Sequence, residues 1–335
     1  MVLGGTAWLG REIAHTALLT GAEIFCLARG DSGAVTEDVH FVQADRTLTG
    51  AFDRLDGEWD EFIELANELD LVESALDVLA DRARHWTLVS TVSMYRRNDE
   101  PGTDKTAEPV ETAEPVEPAE RAETDGPTDY AQAKVAAERA STARIGDKLL
   151  IARPGLIVGP GDPSDRFGHW PALLRRGRRV LAPTTAERFV QVIDVGDLAT
   201  WIVAAGISGV TGIVNAVGES HVFDNFLSEV SDVAGFAGEL VTVDDAWLLK
   251  HDVHYWAGPG HSRCGFPSLT PHLRSVATPP TSLPVASSAP SGTRFHGCLN
   301  MKRLATVRAH GFRDSARRKK PTFSTGRAKD WHPWK

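Results

Sequence analysis

Short apolar runs alternate with helical patterns along the first 96 residues of the chain. Apolar positions recur every three or four residues over 8–20 and over 71–83, which predicts two helices. Apolar runs that predict strands lie at 2–3, 23–28, 39–42, 62–63 and 86–90. Alternation of strands and helices is typical of a parallel sheet with right-handed crossovers. We therefore predict an α/β fold with a doubly wound parallel sheet.

The pattern changes twice further along the chain. Residues 97–128 are acidic and proline-rich and repeat the hexapeptide Thr-Ala-Glu-Pro-Val-Glu, so we predict a disordered insertion there. Regular elements resume as predicted helices at 130–140, 197–205 and 222–233, and as predicted strands at 149–152, 190–193 and 213–215. Residues 260–335 show no periodicity, and we expect an atypical, poorly ordered basic tail.

Charge is distributed unevenly over the 335 residues, whose net charge is −9. Residues 261–335 hold fourteen Lys or Arg and two acids, so they carry +12 and the first 260 residues carry −21. An acidic body repels phosphate, so nucleic acid is not expected as the main partner. The basic tail could serve as a nucleic-acid arm, but a charged, solvated tail is the favoured interpretation.

Several classes of protein are disfavoured by what the chain lacks. There is no run of about 18 apolar residues and no secretory signal, so neither a membrane partner nor export is expected. Three cysteines without metal-ligand spacing suggest neither a disulfide framework nor a metal site. We expect a protein of the reducing cytoplasm that binds no metal.

The first predicted strand is joined to the first helix by a glycine-rich turn. Glycines let the backbone bend tightly, and bare N–H groups at a helix N-terminus attract a pyrophosphate. The spacing is Gly4-x-x-Ala7-x-x-Gly10, in which Ala7 stands where a middle glycine is usual. We predict a dinucleotide site built from Gly4, Thr6, Ala7, Trp8, Leu9 and Gly10. The alternative is an ordinary βα turn; since only three residues precede it, we also expect a few native N-terminal residues to be missing.

The end of the second strand bears on which cofactor binds. An acid there would bind a ribose 2′-hydroxyl, whereas Arg29 can pair with a 2′-phosphate. We therefore expect NADP rather than NAD, although Asp31 keeps NAD open. Asp45 follows the third strand and is expected either to contact adenine or to cap its own loop.

A Tyr/Lys pair on a predicted helix suggests acid–base chemistry. Tyr130 and Lys134 are four residues apart and therefore share one helix face. A free tyrosine has a pKa of about 10, which a neighbouring ammonium and an oxidised nicotinamide lower. Thr91 follows the fifth strand, at the end where ligands of open α/β sheets bind, and its hydroxyl could polarise a substrate carbonyl, with Ser93 as a second contact.

These motifs together resemble the extended short-chain dehydrogenase/reductases, in the NAD-dependent epimerase/dehydratase group. The match extends through two further segments, 153–162 (Arg-Pro-Gly-Leu-Ile-Val-Gly-Pro-Gly-Asp) and 191–198, and covers about residues 1–259. The resemblance implies a Rossmann domain over 1–160, and segments of a small substrate domain mixed with the last Rossmann elements over 161–259. It implies Tyr130 as acid/base with Lys134 and Thr91 assisting, and Lys134 also holding the nicotinamide ribose. It further implies Pro154 beside the nicotinamide and Arg166 and Gln191 facing the substrate.

The chain departs from the family pattern at three places. Ala7 replaces a glycine, and Glu64-Leu65-Ala66 stands where many relatives carry an Asn-Ala-Ala type cofactor contact. The last 75 or so residues do not resemble the family's C-terminus, and the change of charge there suggests a tail read out of frame.

The resemblance implies an NAD(P)-dependent oxidoreductase of the epimerase/dehydratase or reductase type that acts on a small carbonyl or hydroxyl compound. Two alternatives stay open. One is a non-catalytic dinucleotide-binding regulatory or RNA-associated protein on the same fold, and the other is an inactive, damaged family member. A homodimer is compatible with the family's habit of pairing helices between subunits.

Overall fold

A computed structural model of the chain describes residues 1–96, 109, 127–164, 167–186 and 188–251. Apart from residue 109 and the start of the helix at 127, the predicted insertion at 97–128 lies outside the described residues, as does the whole predicted tail at 260–335.

A seven-stranded parallel sheet forms the centre of the molecule. Its strands are β1 (Val2–Leu3), β2 (Phe25–Ala28), β3 (His40–Gln43), β4 (Trp59–Glu64), β5 (Ala83–Val89), β6 (Leu149–Pro154) and β10 (Gly212–Ala216). They are ordered β10-β6-β5-β4-β1-β2-β3, and every neighbouring pair is parallel. The chain thus starts in the middle of the sheet at β1 and adds β2 and β3 on one side of it. It then returns to add β4 and the later strands on the other side of β1, which confirms the doubly wound α/β prediction.

Helices cover both faces of this sheet. Helices α1 (Trp8–Leu19) and α5 (Val195–Ile207) bury their apolar residues against one face, around Ile13, Ile63 and Ile202. Helices α2 (Leu69–Leu79) and α3 (Pro127–Ile145) cover the other face, whose core includes Phe62 and Trp86. Side chains of a strand alternate between the two faces of the sheet, so the neighbouring residues Phe62 and Ile63 of β4 pack in different cores.

A smaller unit follows β6. It consists of β7 (Leu156–Val158), α4 (His169–Arg176), β8 (Arg179–Pro183), β9 (Phe189–Asp194), β11 (Ser220–Val222), α6 (Phe223–Ala234), β12 (Glu239–Val243) and α7 (Asp245–Lys250). The strands form a three-stranded sheet, β11-β9-β7, and a parallel pair, β12-β8. Trp170, Phe223 and Phe226 lie in its apolar core. Only β9 and α6 of this unit were predicted as elements, because the others are short.

The boundaries of several elements differ from the predicted ones by a few residues. The predicted helix 71–83 ends at Leu79, and a 3₁₀ turn, Ala80–Arg82, keeps a similar spacing before β5 begins. The strand predicted at 62–63 extends back to Trp59, because Glu61 is accommodated by hydrogen bonds from neighbouring β5. In the described part of the chain, no helix has both the length and the apolar character that crossing a membrane requires.

Candidate functional site

The glycine-rich turn has the geometry that a close-approaching ligand needs. Gly4 has a φ of 98°, in the left-handed region that favours glycine. A Cβ at Gly10 would lie 2.6 Å from the carbonyl oxygen of Gly4, so only glycine lets the helix start so close to the turn. Ala7 keeps an ordinary extended conformation (φ −75°), so its Cβ is tolerated where the family pattern has a glycine.

The first turn of α1 offers backbone donors. Helical bonding begins with the Arg11 N–H donating to Ala7 O at 2.9 Å, and no side chain caps the helix at Ala7. The N–H groups of Trp8, Leu9 and Gly10 therefore have no partner within the helix. Together with the partial positive charge of the helix N-terminus, this turn fits a diphosphate. Thr6 is buried beneath the turn.

The half-buried side chain of Trp8 contacts the loop after β7. Its indole Nε1 donates to the carbonyl of Pro160 at 2.7 Å, and Gly161 lies against the same ring. The contact joins the loop after β7 to the glycine-rich turn, and the backbone N–H of Trp8 stays at the N-terminus of α1.

At the end of β2, Arg29 lies exposed and pairs with Asp31, Nε to Oδ2, at 3.1 Å. Arg11 reaches the same loop, donating to Ser32 O at 3.1 Å. Two positive side chains thus flank the segment where a ribose would end. Asp45 accepts from the backbone N–H and the hydroxyl of Thr47, and these bonds lower the pKa of its carboxyl. Of the two roles expected for Asp45, the structure displays the loop cap.

Lys134 is buried, with 3% of its surface exposed, although it carries an ammonium. Its Nζ donates to Ala66 O at 2.9 Å and to Val89 O at 2.7 Å. These carbonyls follow the carboxyl end of β4 and end β5, so the ammonium is held where ligands of such sheets bind. Burial lowers the pKa of Lys134 to about 8, against the opposing charges of Glu64, Glu68 and Glu138.

The other predicted catalytic residues lie on the segments around Lys134. Tyr130 is one helical turn before it on α3 and is 41% exposed. Thr91 lies two residues beyond Val89, and its Oγ1 accepts the Ser93 N–H at 3.1 Å, which leaves the hydroxyl proton available to donate. Ser93 itself is exposed.

A buried polar network beside this site was missed by the sequence analysis. Arg153 donates to both carboxylate oxygens of Glu138 at 2.9 and 2.6 Å, and to the hydroxyl of Tyr95 at 2.9 Å. Tyr95 in turn donates to Asn215 Oδ1 at 2.6 Å. The network fastens α3 to β6 and β10. Its one sequence clue was an arginine inside an otherwise apolar strand.

The remaining predicted residues lie toward the small unit. Pro154 is the buried last residue of β6. Gln191 lies on β9, and its Nε2 donates to Gly218 O at 2.8 Å, so its amide braces a backbone turn. Arg166 lies outside the described residues. Among the described residues, no group of three or more His, Cys, Asp or Glu could hold a metal ion.

Comparison with known proteins finds one matching family model and many solved structures that match the chain. The model of the NAD dependent epimerase/dehydratase family matches residues 1–218. A putative epimerase from Burkholderia cenocepacia is 20% identical, with a TM-score of 0.57 over 72% of this chain and 82% of that one. A Methanobrevibacter ruminantium UDP-N-acetylglucosamine 4-epimerase in complex with UDP-N-acetylmuramic acid is 16% identical, with a TM-score of 0.58 over 72% and 84%.

A third structure, a Thermus thermophilus UDP-glucose 4-epimerase in complex with NAD, is 20% identical, with a TM-score of 0.53 over 79% of this chain and 95% of that one. At these identities the similarities establish the fold alone. No curated protein matches the chain.

Proposed function

The chain belongs to the NAD dependent epimerase/dehydratase family, a family of NAD-dependent enzymes, and from that premise we propose its reaction. It is an NAD(P)-dependent oxidoreductase of the epimerase/dehydratase or reductase type. Hydride passes to or from a small carbonyl or hydroxyl compound, and Tyr130 transfers the matching proton. Nucleotide sugars are the first substrates to test, since structurally similar proteins are described as UDP-sugar epimerases.

The observation that carries this proposal is the buried ammonium of Lys134. Burying an ammonium costs free energy unless the group is paired and hydrogen-bonded. Here Nζ is anchored by two carbonyls, Ala66 O and Val89 O, which leaves its third N–H for a ligand. A structural lysine would gain more by reaching solvent, so the arrangement supports a role in chemistry.

The roles of the residues follow from their chemical groups. The ammonium of Lys134 favours the ionised phenol of Tyr130 one turn away, so that the phenol can exchange a proton with a substrate hydroxyl. Thr91 keeps its hydroxyl proton free to donate to the substrate oxygen. When bound, the nicotinamide supplies the hydride donor or acceptor.

The phosphate turn would hold the diphosphate through the N–H groups of Trp8, Leu9 and Gly10. NADP is our expectation over NAD, because Arg29 and Arg11 both lie at the loop after β2. The Arg29–Asp31 pair is exposed and contributes little, so a 2′-phosphate can compete for the guanidinium.

We further propose a cytoplasmic enzyme that works on small molecules, with a homodimer as the oligomer to test. The buried, inert Cys26 agrees with a reducing compartment: burial raises the pKa of its thiol to about 11. Pro154, Ser93, Arg166 and Gln191 remain our candidates for the nicotinamide and substrate contacts.

One experiment tests cofactor binding and catalysis together. The wild type and Tyr130→Phe are titrated with NADH and NADPH by nicotinamide fluorescence. Both are then assayed with a panel of UDP-glucose, UDP-N-acetylglucosamine and small ketones. We expect both proteins to bind NADPH more tightly than NADH, and turnover by Tyr130→Phe to fall at least 100-fold.

Each other outcome selects a different account. Unchanged turnover in Tyr130→Phe would refute the acid/base assignment. Binding of cofactor without turnover by the wild type over a widened substrate panel would favour the non-catalytic dinucleotide-binding protein. Failure to bind either cofactor would favour the inactive, damaged enzyme.

A further inference from the structure

A buried carboxylate ends β4, next to the proposed catalytic centre. Glu64 is fully buried, and Arg46 pairs with it through both terminal nitrogens, Nη2 to Oε1 at 3.1 Å. A buried ion pair is weak evidence for stability, because desolvation offsets its Coulomb attraction. Its place at the carboxyl edge of the sheet therefore calls for another account.

Glu64 is linked to Lys134 through a single residue. Its Oε1 accepts the backbone N–H of Ala66 at 2.8 Å. The carbonyl of the same Ala66 accepts the Nζ of Lys134 at 2.9 Å. The Glu64 carboxylate thus holds the backbone of Ala66, whose carbonyl accepts a hydrogen bond from the ammonium of Lys134. Ala66 and Lys134 are 68 residues apart in the sequence.

Several charged groups face Lys134. Glu64 approaches from β4, Glu68 from the segment before α2, and Glu138 from α3 itself. Glu64 and Glu138 are each paired, with Arg46 and Arg153 respectively. Among the three carboxylates, Glu64 opposes most strongly the lowering of the Lys134 pKa by burial.

We propose that Glu64, held by Arg46, is a positioning residue whose carboxylate holds the Lys134 ammonium in place through the backbone of Ala66. The benefit to catalysis rests on the proposed function, in which Lys134 assists Tyr130. The effect on the ammonium itself does not, because it is set by contacts within the protein alone. Glu64 belongs to the segment that stands where many relatives carry an Asn-Ala-Ala type cofactor contact, and the positioning role would account for this departure.

The test is an NMR titration of the full chain without cofactor. The ¹³Cε signal of Lys134, assigned by its loss in Lys134→Met, is followed against pH in the wild type, Glu64→Gln and Glu68→Gln. The matched Glu68→Gln variant removes a charge near Lys134 and keeps the contacts of Ala66. We expect the midpoint to fall by about one pH unit in Glu64→Gln and by less than half of that in Glu68→Gln.

Glu64→Gln leaves the Arg46 charge buried and could unfold the protein. The double variant Arg46→Gln/Glu64→Gln removes both charges and allows an amide–amide hydrogen bond instead. Its Lys134 midpoint should still lie below that of the wild type, because Glu64, and not Arg46, is among the charges that act most strongly on Lys134. The proposal is overturned if a folded Glu64 variant titrates like the wild type, or if Glu68→Gln shifts the midpoint as much.

A second readout separates this proposal from the proposed function. If turnover is found, the alkaline limb of kcat should move to lower pH in the Glu64 variant by the same amount as the NMR midpoint. An NMR shift in a protein with no turnover would uphold the positioning role and count against the catalytic one. Turnover with an unchanged NMR midpoint would do the reverse.

Discussion

Two acids three residues apart on β4 have different surroundings. Glu61 points to the α5 face, where a Cβ at Gly206 would lie 2.7 Å from its Oε2. Its carboxylate accepts from Thr87 at 2.6 Å and pairs with His85, whose other ring nitrogen contacts Val210 O at 2.8 Å. Glu64 points to the opposite face and pairs with Arg46.

The comparison teaches that position along the strand decides what a partly or fully buried carboxylate can do. Glu61 lies in the body of β4 and its partners belong to β5, so the cluster fastens the sheet to the segment before β10. Glu64 ends the strand, where the backbone turns away and leaves N–H and carbonyl groups for a site. The partners also differ: imidazole can lose its proton, whereas guanidinium cannot.

The largest expected effect tests the difference between the partners of the two acids, Arg46 for Glu64 and His85 for Glu61. Glu64→Leu should cost about 3–5 kcal/mol of unfolding free energy, because Arg46 stays charged and buried and the Ala66 N–H loses its acceptor. Glu61→Leu should cost only about 1–3 kcal/mol, because His85 can become neutral. Urea denaturation at pH 7.5 measures both.

Asp60 supplies the control for that measurement, since it lies exposed on the same strand and pairs with exposed Arg84. Asp60→Asn should change the unfolding free energy by less than about 0.5 kcal/mol. Equal losses for the Glu61 and Glu64 variants would remove the distinction drawn between the two acids.

The next effect concerns Lys134, whose pKa falls from 10.5 to about 8 because it is buried. Between these values the unfolded chain binds a proton that the folded chain has lost, so this contribution to stability rises with pH. The span corresponds to roughly 3 kcal/mol. The stability difference between the wild type and Lys134→Met, measured at pH 7.5 and pH 10, should shift in favour of the wild type; a constant difference would contradict the burial of a charged amine.

The smallest effect has the opposite sign and belongs to His85. Burial acts to lower its pKa, but the hydrogen bond and charge of Glu61 outweigh this and raise it. Its contribution is complete below pH ~6.5 and is lost as pH rises through the folded-state pKa. Relative to His85→Gln, the wild type should therefore lose stability between pH 6 and pH 8.5. A stability difference from His85→Gln that stays constant over this range would contradict the prediction.

The sequence was most informative where a function depends on neighbours along the chain. The Gly4–Gly10 turn and the four-residue spacing of Tyr130 and Lys134 are local features, and the fold carries them on the strand–turn–helix and the helix expected of them. It was least informative about partners. The anchors of Lys134 lie 68 and 45 residues away, and Glu64 was noted only as a departure from a family pattern.

The amino-acid sequence by itself determined the alternation of strands and helices, the bend that exposes backbone donors, and which side chains share a helix face. These depend on periodicity and on the steric freedom of glycine, which act over a few residues. Only the tertiary structure decided that Glu64 meets Arg46 and Ala66, that Ala66 and Val89 hold Lys134, and that Arg153 joins Glu138 to Tyr95. The physical reason is that strand order brings distant strand ends to one edge, where a buried charge must find its partner in space.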